Sequence, residues 1–458
     1  MPQLFFLRIT SGLWWEGRSL SNTVVPGQPG KQFYRMRTGP LRAFSYQRFG
    51  IFWFLSLLSI ISFFMNLIVR GWLILELTDS SFMVTAVNAA QLLPMLFLPL
   101  LGGALADRGG RKALLIVTDM FNFASLLAMA LLLFIGQEAV WHVFALAIAN
   151  GVAFSFAMPA RTSIVPDMVG TNDVPSAVAL FSTIFSLGQI AGPAPAGFII
   201  NAWGMGAAFL VASFLLVPSI GGLILFQLPK HAGGFVPDVN KPRESMAHGI
   251  IEGLRYMRSQ ELLIGLLLLG LVVTMFIMPF QAIMPVIVRD ILNRGPDDLG
   301  ILMTASGVGA LCGSFSVALA NNIRQLNTLM LVAGIGVGIA LSLFAVSSVF
   351  FLSLFLVFVL GLFVQTFMTS NFTVVQMATP DAVRARIISM RFIAVGLGPI
   401  GMISLGVAAE IFGPQPSLVV MAVINIIVVT LIFAVMPSLR RTEATVVAMV
   451  KEEVKTSS

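Results

Sequence analysis

Charge is scarce in this chain. Of 458 residues only 10% are Asp, Glu, Lys or Arg, while 57% are hydrophobic; soluble domains carry about 25% charged residues. A soluble fold of this size could not cover its surface with so few charges. Soluble enzymes, nucleic-acid binders and secreted disulfide scaffolds are therefore excluded as readings of the whole chain. Cysteine is scarcer still: Cys312 stands alone in an apolar run, so no disulfide can form within the chain. The three histidines, His142, His231 and His248, are far apart in sequence and form no metal-ligating cluster. No Walker A pattern offers an ATP site. No nucleophile–base pair marks an enzyme, and no cofactor or metal is expected.

What the chain has is long apolar runs. Its mean hydropathy is +0.95. A membrane-spanning helix needs about 20 apolar residues. Twelve such spans are expected: 49–77, 82–106, 113–135, 140–162, 176–200, 205–228, 262–288, 297–320, 326–347, 349–373, 386–409 and 417–437. The long connection 229–261, with Pro229, Gly233, Gly234, Pro237 and Pro242, divides them into two sets of six. The expected organisation is an N-terminal extension 1–48, a six-helix bundle 49–228, a central loop 229–261, a second bundle 262–437 and a tail 438–458. Leu4 to Leu7 is too short for the apolar core of a secretory signal. Met36, followed by Arg37, is an alternative start.

The net charge of +7 is explained by topology rather than by a nucleic-acid partner. Lys and Arg concentrate before span 1, in loops 2–3, 4–5, 8–9 and 10–11, in the central loop and in the tail. Only Arg70, Arg289 and Arg294 fall elsewhere. Positive residues are retained on the cytoplasmic side. Both termini are thus expected in the cytoplasm, on a multi-pass protein of the cell membrane.

The residues after span 2 read Gly103-Ala-Leu-Ala-Asp107-Arg108-Gly109-Gly110-Arg111-Lys112. In this inter-helix position they resemble the loop 2–3 signature of the major facilitator superfamily. Gly103 allows close helix approach, Asp107 suits a helix N-terminus, and Arg108, Arg111 and Lys112 would hold the loop at the surface. Pro159-Ala-Arg161 through Val165-Pro166, and Gln376, Pro380, Arg384, Arg386 and Ser389, resemble loops 4–5 and 10–11 of its bacterial exporter branch, which includes enterobactin exporters. Trp72 and Leu75-Glu76-Leu77-Thr78 match too. The resemblance covers 45–437 and implies an all-α membrane protein with twelve transmembrane helices in two pseudo-symmetric six-helix bundles. Gly188, Gly192, Pro193 and Gly197 in span 5 resemble the antiporter signature of drug exporters, and Gly309 and Gly313 repeat the spacing in span 8. The fold would put these two spans in contact across the halves.

Two departures bear on proton coupling. Drug/proton antiporters of the superfamily carry an Arg in mid-span 4, where this chain has Ala147. The second-half copy of the loop 2–3 signature is reduced to Asn321-Asn322-Ile323-Arg324.

At 100° per residue, Ser56, Ser59, Ser62, Asn66 and Arg70 share one face of span 1. Ser182, Ser186 and Gln189 share one of span 5, Thr274, Met278 and Gln281 one of span 7, and Gln365, Thr369 and Gln376 one of span 10. Polar stripes in lipid face protein or water. The candidate cavity residues are Asn66, Arg70, Phe63, Phe154, Gln189, Met278, Gln281 and Gln365; ordinary helix–helix hydrogen bonding is the competing account. Asp119, in span 3, is the candidate titrating group, or a partner for the loop 2–3 arginines. The reading is a secondary transporter exporting amphipathic small molecules, drug-like or siderophore-like, by alternating access. It works as a monomer in the bilayer on an ion gradient, with protons the candidate ion. An uptake carrier of the same fold and a non-transporting receptor or scaffold are the alternatives.

Overall fold

The computed structural model describes residues 41–225, 260–320, 322–379, 387 and 396–440, and their side chains except those of 96, 97, 99–109 and 171. The side chains of Asp107 and Arg108, the central loop up to 259, Pro380, Arg384, Arg386 and Ser389, and the ends 1–40 and 441–458 lie outside this set.

Span 1 is the helix Gln47–Thr78. It stops where Asp79 turns left-handed (φ 51°, ψ 29°), donating its N–H to the Leu75 carbonyl. Span 2, Ser81–Gly109, starts at once, because the Ser80 hydroxyl accepts from the Met83 N–H and caps it. Gly110, at φ 84°, separates it from span 3, Arg111–Phe134; only glycine adopts that conformation without strain. Span 4 is Val140–Ile164.

Residues 174–225 form one apolar helical stretch of 52 residues, long enough for two passes. Gly204 (φ 82°, ψ 171°) breaks it into spans 5 and 6. Span 7 is interrupted: Glu261–Phe276 is followed by a turn, by Phe280–Val286 and by a π-helical turn Ile287–Ile291. Pro279 and Pro285, which lack the N–H a continuous helix needs, account for the interruption. Spans 8, 9, 10 and 12 are Pro296–Ala318, Ile323–Val346, Phe350–Met377 and Pro414–Val435. The described part of span 11 is Gly398–Phe412. Among the described residues there is no strand.

The core is divided unequally. One apolar cluster joins the two halves: Met65, Val69, Leu73 and Leu75 of span 1 share it with Ile283, Val288, Leu299 and Leu302 of spans 7 and 8. A second cluster belongs to the N-terminal half alone. It gathers Phe49, Phe52, Leu115, Ala160, Ile164 and Phe181 near loops 2–3 and 4–5.

Polar contacts follow the same division. At the end bearing loops 1–2 and 7–8, hydrogen bonds cross between the halves. Arg289 of span 7 reaches Asp79 and the Leu75 carbonyl. Glu410 of span 11 accepts from the Ser80 hydroxyl and the Phe82 N–H, both at 3.1 Å. At the opposite end the following contacts among the described residues each stay within one half. Arg42 pairs with Asp173 and Arg111 with Asp167, each at 2.9 Å, while Lys112 donates to the Ile224 carbonyl and Asn327 to that of Leu439.

Spans 5 and 8 do meet, through the expected Pro193 and Gly197 but not through Gly188, Gly192, Gly309 or Gly313. A Cβ on Gly188 would strike Ile60, and one on Gly192 would strike Phe64, both in span 1. Gly309 and Gly313 lie against the Phe358 and Leu362 carbonyls of span 10. The inter-half contact is made by Gly197 on Pro296, by Gly300, whose Cβ would lie 2.5 Å from the Pro193 carbonyl oxygen, and by Gly307 on Gln189. Thr304 adds a hydrogen bond to the Ile190 carbonyl at 3.0 Å. Four-residue spacing makes a smooth face without specifying which neighbour uses it.

Candidate functional site

Two cavities lie along the N-terminal half. The larger, about 1130 Å³, sits between the halves where span 7 is interrupted. Thr274, Met278, Gln281 and Pro285 of span 7 face Phe63, Phe64 and Gly71 of span 1 and Asn88 and Gln91 of span 2 across it. Met303, Met368 and Met402 complete an apolar wall from three other spans. None of the described lining residues is charged. Flexible, polarizable Met beside Phe makes a surface that adapts to differing apolar shapes.

The smaller cavity, about 430 Å³, lies inside the N-terminal bundle. Ser59, Asp119, Asn122, Asn150, Phe154 and Arg161 line it. Phe63 borders both cavities. Its ring packs on that of Phe154 with centroids 4.8 Å apart, so an aromatic partition separates the two spaces.

The polar stripe of span 1 turns into the bundle, away from the larger cavity. Ser59 bonds to Asp119 and Ser219, Ser62 to the Ala212 carbonyl, and Asn66 to Asn150. Asn66 and Arg70 are wholly buried and line neither cavity, which corrects their expected place on the wall. Helix–helix hydrogen bonding is the better account of this stripe. Gln189 and Gln365 also line neither cavity: the Gln189 backbone packs on Gly307, and Gln365 donates to Thr369 of its own helix. Phe63, Met278 and Gln281 do line the large cavity, and Phe154 the small one.

Asp119 does not reach Arg111, the loop 2–3 arginine among the described side chains. Its carboxylate accepts from Arg161 of span 4 at 2.7 and 3.0 Å and from Ser219 of span 6 at 2.9 Å. Arg161 also donates to the Ser56 carbonyl of span 1, so four spans are tied at one ion pair. Arg111 instead holds loop 4–5, through the Ser163 carbonyl and Asp167.

Asn88 and Gln91 were not legible as wall residues. They lie on span 2, outside the spans expected to line the cavity. Arg70 donates to both side-chain oxygens, and a Cβ on Gly151 of span 4 would overlap the Gln91 carbonyl. Three polar residues at spacing three, Thr85, Asn88 and Gln91, were the available signal.

Comparison with known proteins places this geometry. Residues 38–455 match the family described as transmembrane secretion effector. The multidrug efflux pump Tap of Mycolicibacterium fortuitum is 28% identical over 75% of this chain and 84% of its own length. Macrolide efflux protein A of Streptococcus pyogenes is 24% identical over 77% and 88%. Among solved structures, a bacterial homolog of the human lysosomal transporter Spinster superposes with a TM-score of 0.67 at 13% identity, covering 86% of this chain and 97% of that one. The inward-open xylose transporter XylE from E. coli superposes at 0.64 with 12% identity, over 84% and 96%. The twelve-helix architecture is that of the major facilitator fold, and the chain belongs to the transmembrane secretion effector family of that superfamily.

Proposed function

We propose that this chain is a secondary active exporter that moves amphipathic, drug-like molecules out of the cell by alternating access. One observation carries the proposal: a cavity rich in Met and Phe, with no charged side chain in its described lining, lies between the two halves, and among the described residues the charged contacts between the halves lie at the end bearing loops 1–2 and 7–8. The bias of Lys and Arg assigns the opposite end, with loops 2–3 and 4–5, to the cytoplasm. On this reading the cavity loads from the cytoplasm, as an exporter requires. The efflux functions named for the relatives support this direction over uptake.

Further parts of the proposal rest on the sequence. The two bundles span 49–228 and 262–437, both termini are cytoplasmic, and the chain works as a monomer. Protons are the proposed coupling ion and Asp119 the proposed carrier. A proton on its carboxylate replaces the contact with Arg161 and loosens spans 3 and 4, which that contact ties. Asp107, Arg108, Gly110, Arg111 and Lys112 form the proposed gating loop.

Everted vesicles energised by respiration test the proposal with ethidium and nalidixic acid as separate cargoes. The expected result is accumulation above that of vesicles without the protein, abolished by nigericin. Equal accumulation of each cargo in both preparations overturns it.

A further inference from the structure

Arg70 is 0% exposed, the largest of the fully buried side chains. It takes part in none of the ion pairs among the described residues. Its only acceptors there are two neutral amide oxygens, Asn88 Oδ1 at 3.0 Å and Gln91 Oε1. Nε and Nη1 of Arg70 have no partner, nor has Nε2 of Gln91. Against these three donors stands one unpaired acceptor nearby, Oδ1 of Asn66, one helical turn from Arg70. Even if Asn66 turned to Arg70, two donors and a full positive charge would remain without a counterpart.

A buried charge is costly unless something of opposite charge meets it. Glu76, the acid nearest in sequence, accepts from Trp72 Nε1 at 2.6 Å, and Asp79 is taken by Arg289. The cluster abuts the large cavity: Asn88, Gln91 and Gly71 all line it. Arg70 draws the Oε1 atom of Gln91 toward itself. The amide NH₂ is thereby left buried and unengaged, on a residue that lines a wall otherwise made mainly of apolar side chains.

We infer that Arg70, Asn88 and Gln91 form an oxyanion subsite of the large cavity, and that the cargo class is amphipathic molecules bearing a carboxylate. The inference rests on the cavity being the cargo site of a transporter. Gln91 Nε2 donates to a carboxylate oxygen, while Arg70, held behind it, supplies the compensating charge through a low-dielectric wall and positions the amide. The aromatic and thioether side chains of Phe63, Phe64, Met278 and Met303 take the apolar body.

Binding to the purified full-length chain in phosphatidylcholine nanodiscs separates this inference from the transport reading. The probes are nalidixic acid and its ethyl ester, which differ in charge at one group. The native chain is expected to bind the acid more tightly by about ten-fold or more, the scale of a hydrogen bond to a charged group. Gln91→Glu supplies the missing acid internally. It is expected to remove the preference by weakening the acid far more than the ester, with thermal stability unchanged or higher. Arg70→Gln is expected to remove the preference as well. Equal binding of acid and ester by the native chain, no binding of the acid, or a preference that survives in Gln91→Glu overturns the subsite. Acid preference without any vesicle accumulation leaves the subsite standing and overturns export.

Discussion

Arg161 of span 4 meets Asp119 of span 3 through both carboxylate oxygens, and neither side chain is exposed by more than 4%. Breaking such a pair strands a buried charge, at a cost of about 3–5 kcal/mol. Asp119→Ala should therefore sharply lower the thermal stability of the purified protein. The double variant Asp119→Leu, Arg161→Met removes both charges and should recover most of the loss. If the double variant folds yet no longer responds to a pH gradient in vesicles, the pair couples protons as well as holding helices. Unchanged pH-driven transport would reduce it to a structural tie.

The Gly197–Pro296 contact predicts how the joined end can be forced apart. A Leu at 197 meets backbone of span 8, which cannot yield as a side-chain tip can. Gly197→Leu should insert normally but open outward. A cysteine placed at Met303, on the cavity wall, should then react with an impermeant maleimide from outside, in a background carrying Cys312→Ser. Gly192→Leu should behave differently. Its clash is with Phe64 in the same half, so it should lower stability without exposing position 303 to the outside.

Glu410 predicts a graded effect at the same end. Its carboxylate accepts from the first turn of span 2, where a helix N-terminus favours negative charge by about 0.3–1 kcal/mol. Glu410→Gln should raise outside labelling of a cysteine at 303 by about two- to five-fold, the range such energies allow. Because the contact is exposed, high salt should reduce the difference between the native and variant proteins. Equal labelling at low salt would show that Glu410 does not help to close this end.

Topology is open to a direct check with described surface residues. Cysteines at Gln137, in loop 3–4, and Ser45, before span 1, should divide between the two faces. The first should label from outside intact cells and the second only after permeabilisation. Labelling of position 45 from outside would reverse the orientation, and with it the direction the cavity faces.

The spans were legible because lipid demands about 20 apolar residues per crossing; even the break between spans 5 and 6 fell near Gly204, between the expected ends 200 and 205. Which face met which neighbour was not legible. Periodicity groups Ser59, Ser62, Asn66 and Arg70 on one side of span 1, but it carries no information about whether that side meets a cavity or another helix. The partner of Asp119 was hidden for a related reason. Arg161 read as a loop 4–5 residue, whereas the last turn of span 4 carries it into the bundle. Asn88 and Gln91 were hidden too, because their importance lies in Arg70, eighteen or more residues away, taking their oxygens.

The unequal division of the apolar core has an energetic consequence for the transport cycle. To face outward, the protein must part Val69 and Leu73 from Val288 and Leu299, and every square ångström of apolar surface returned to water costs about 25 cal/mol. The N-terminal cluster around Phe52 and Phe181 does not have to come apart in that movement. On the proposed cycle, parting this cluster is a cost that falls on the outward swing, and that stroke is where an external source of energy would act.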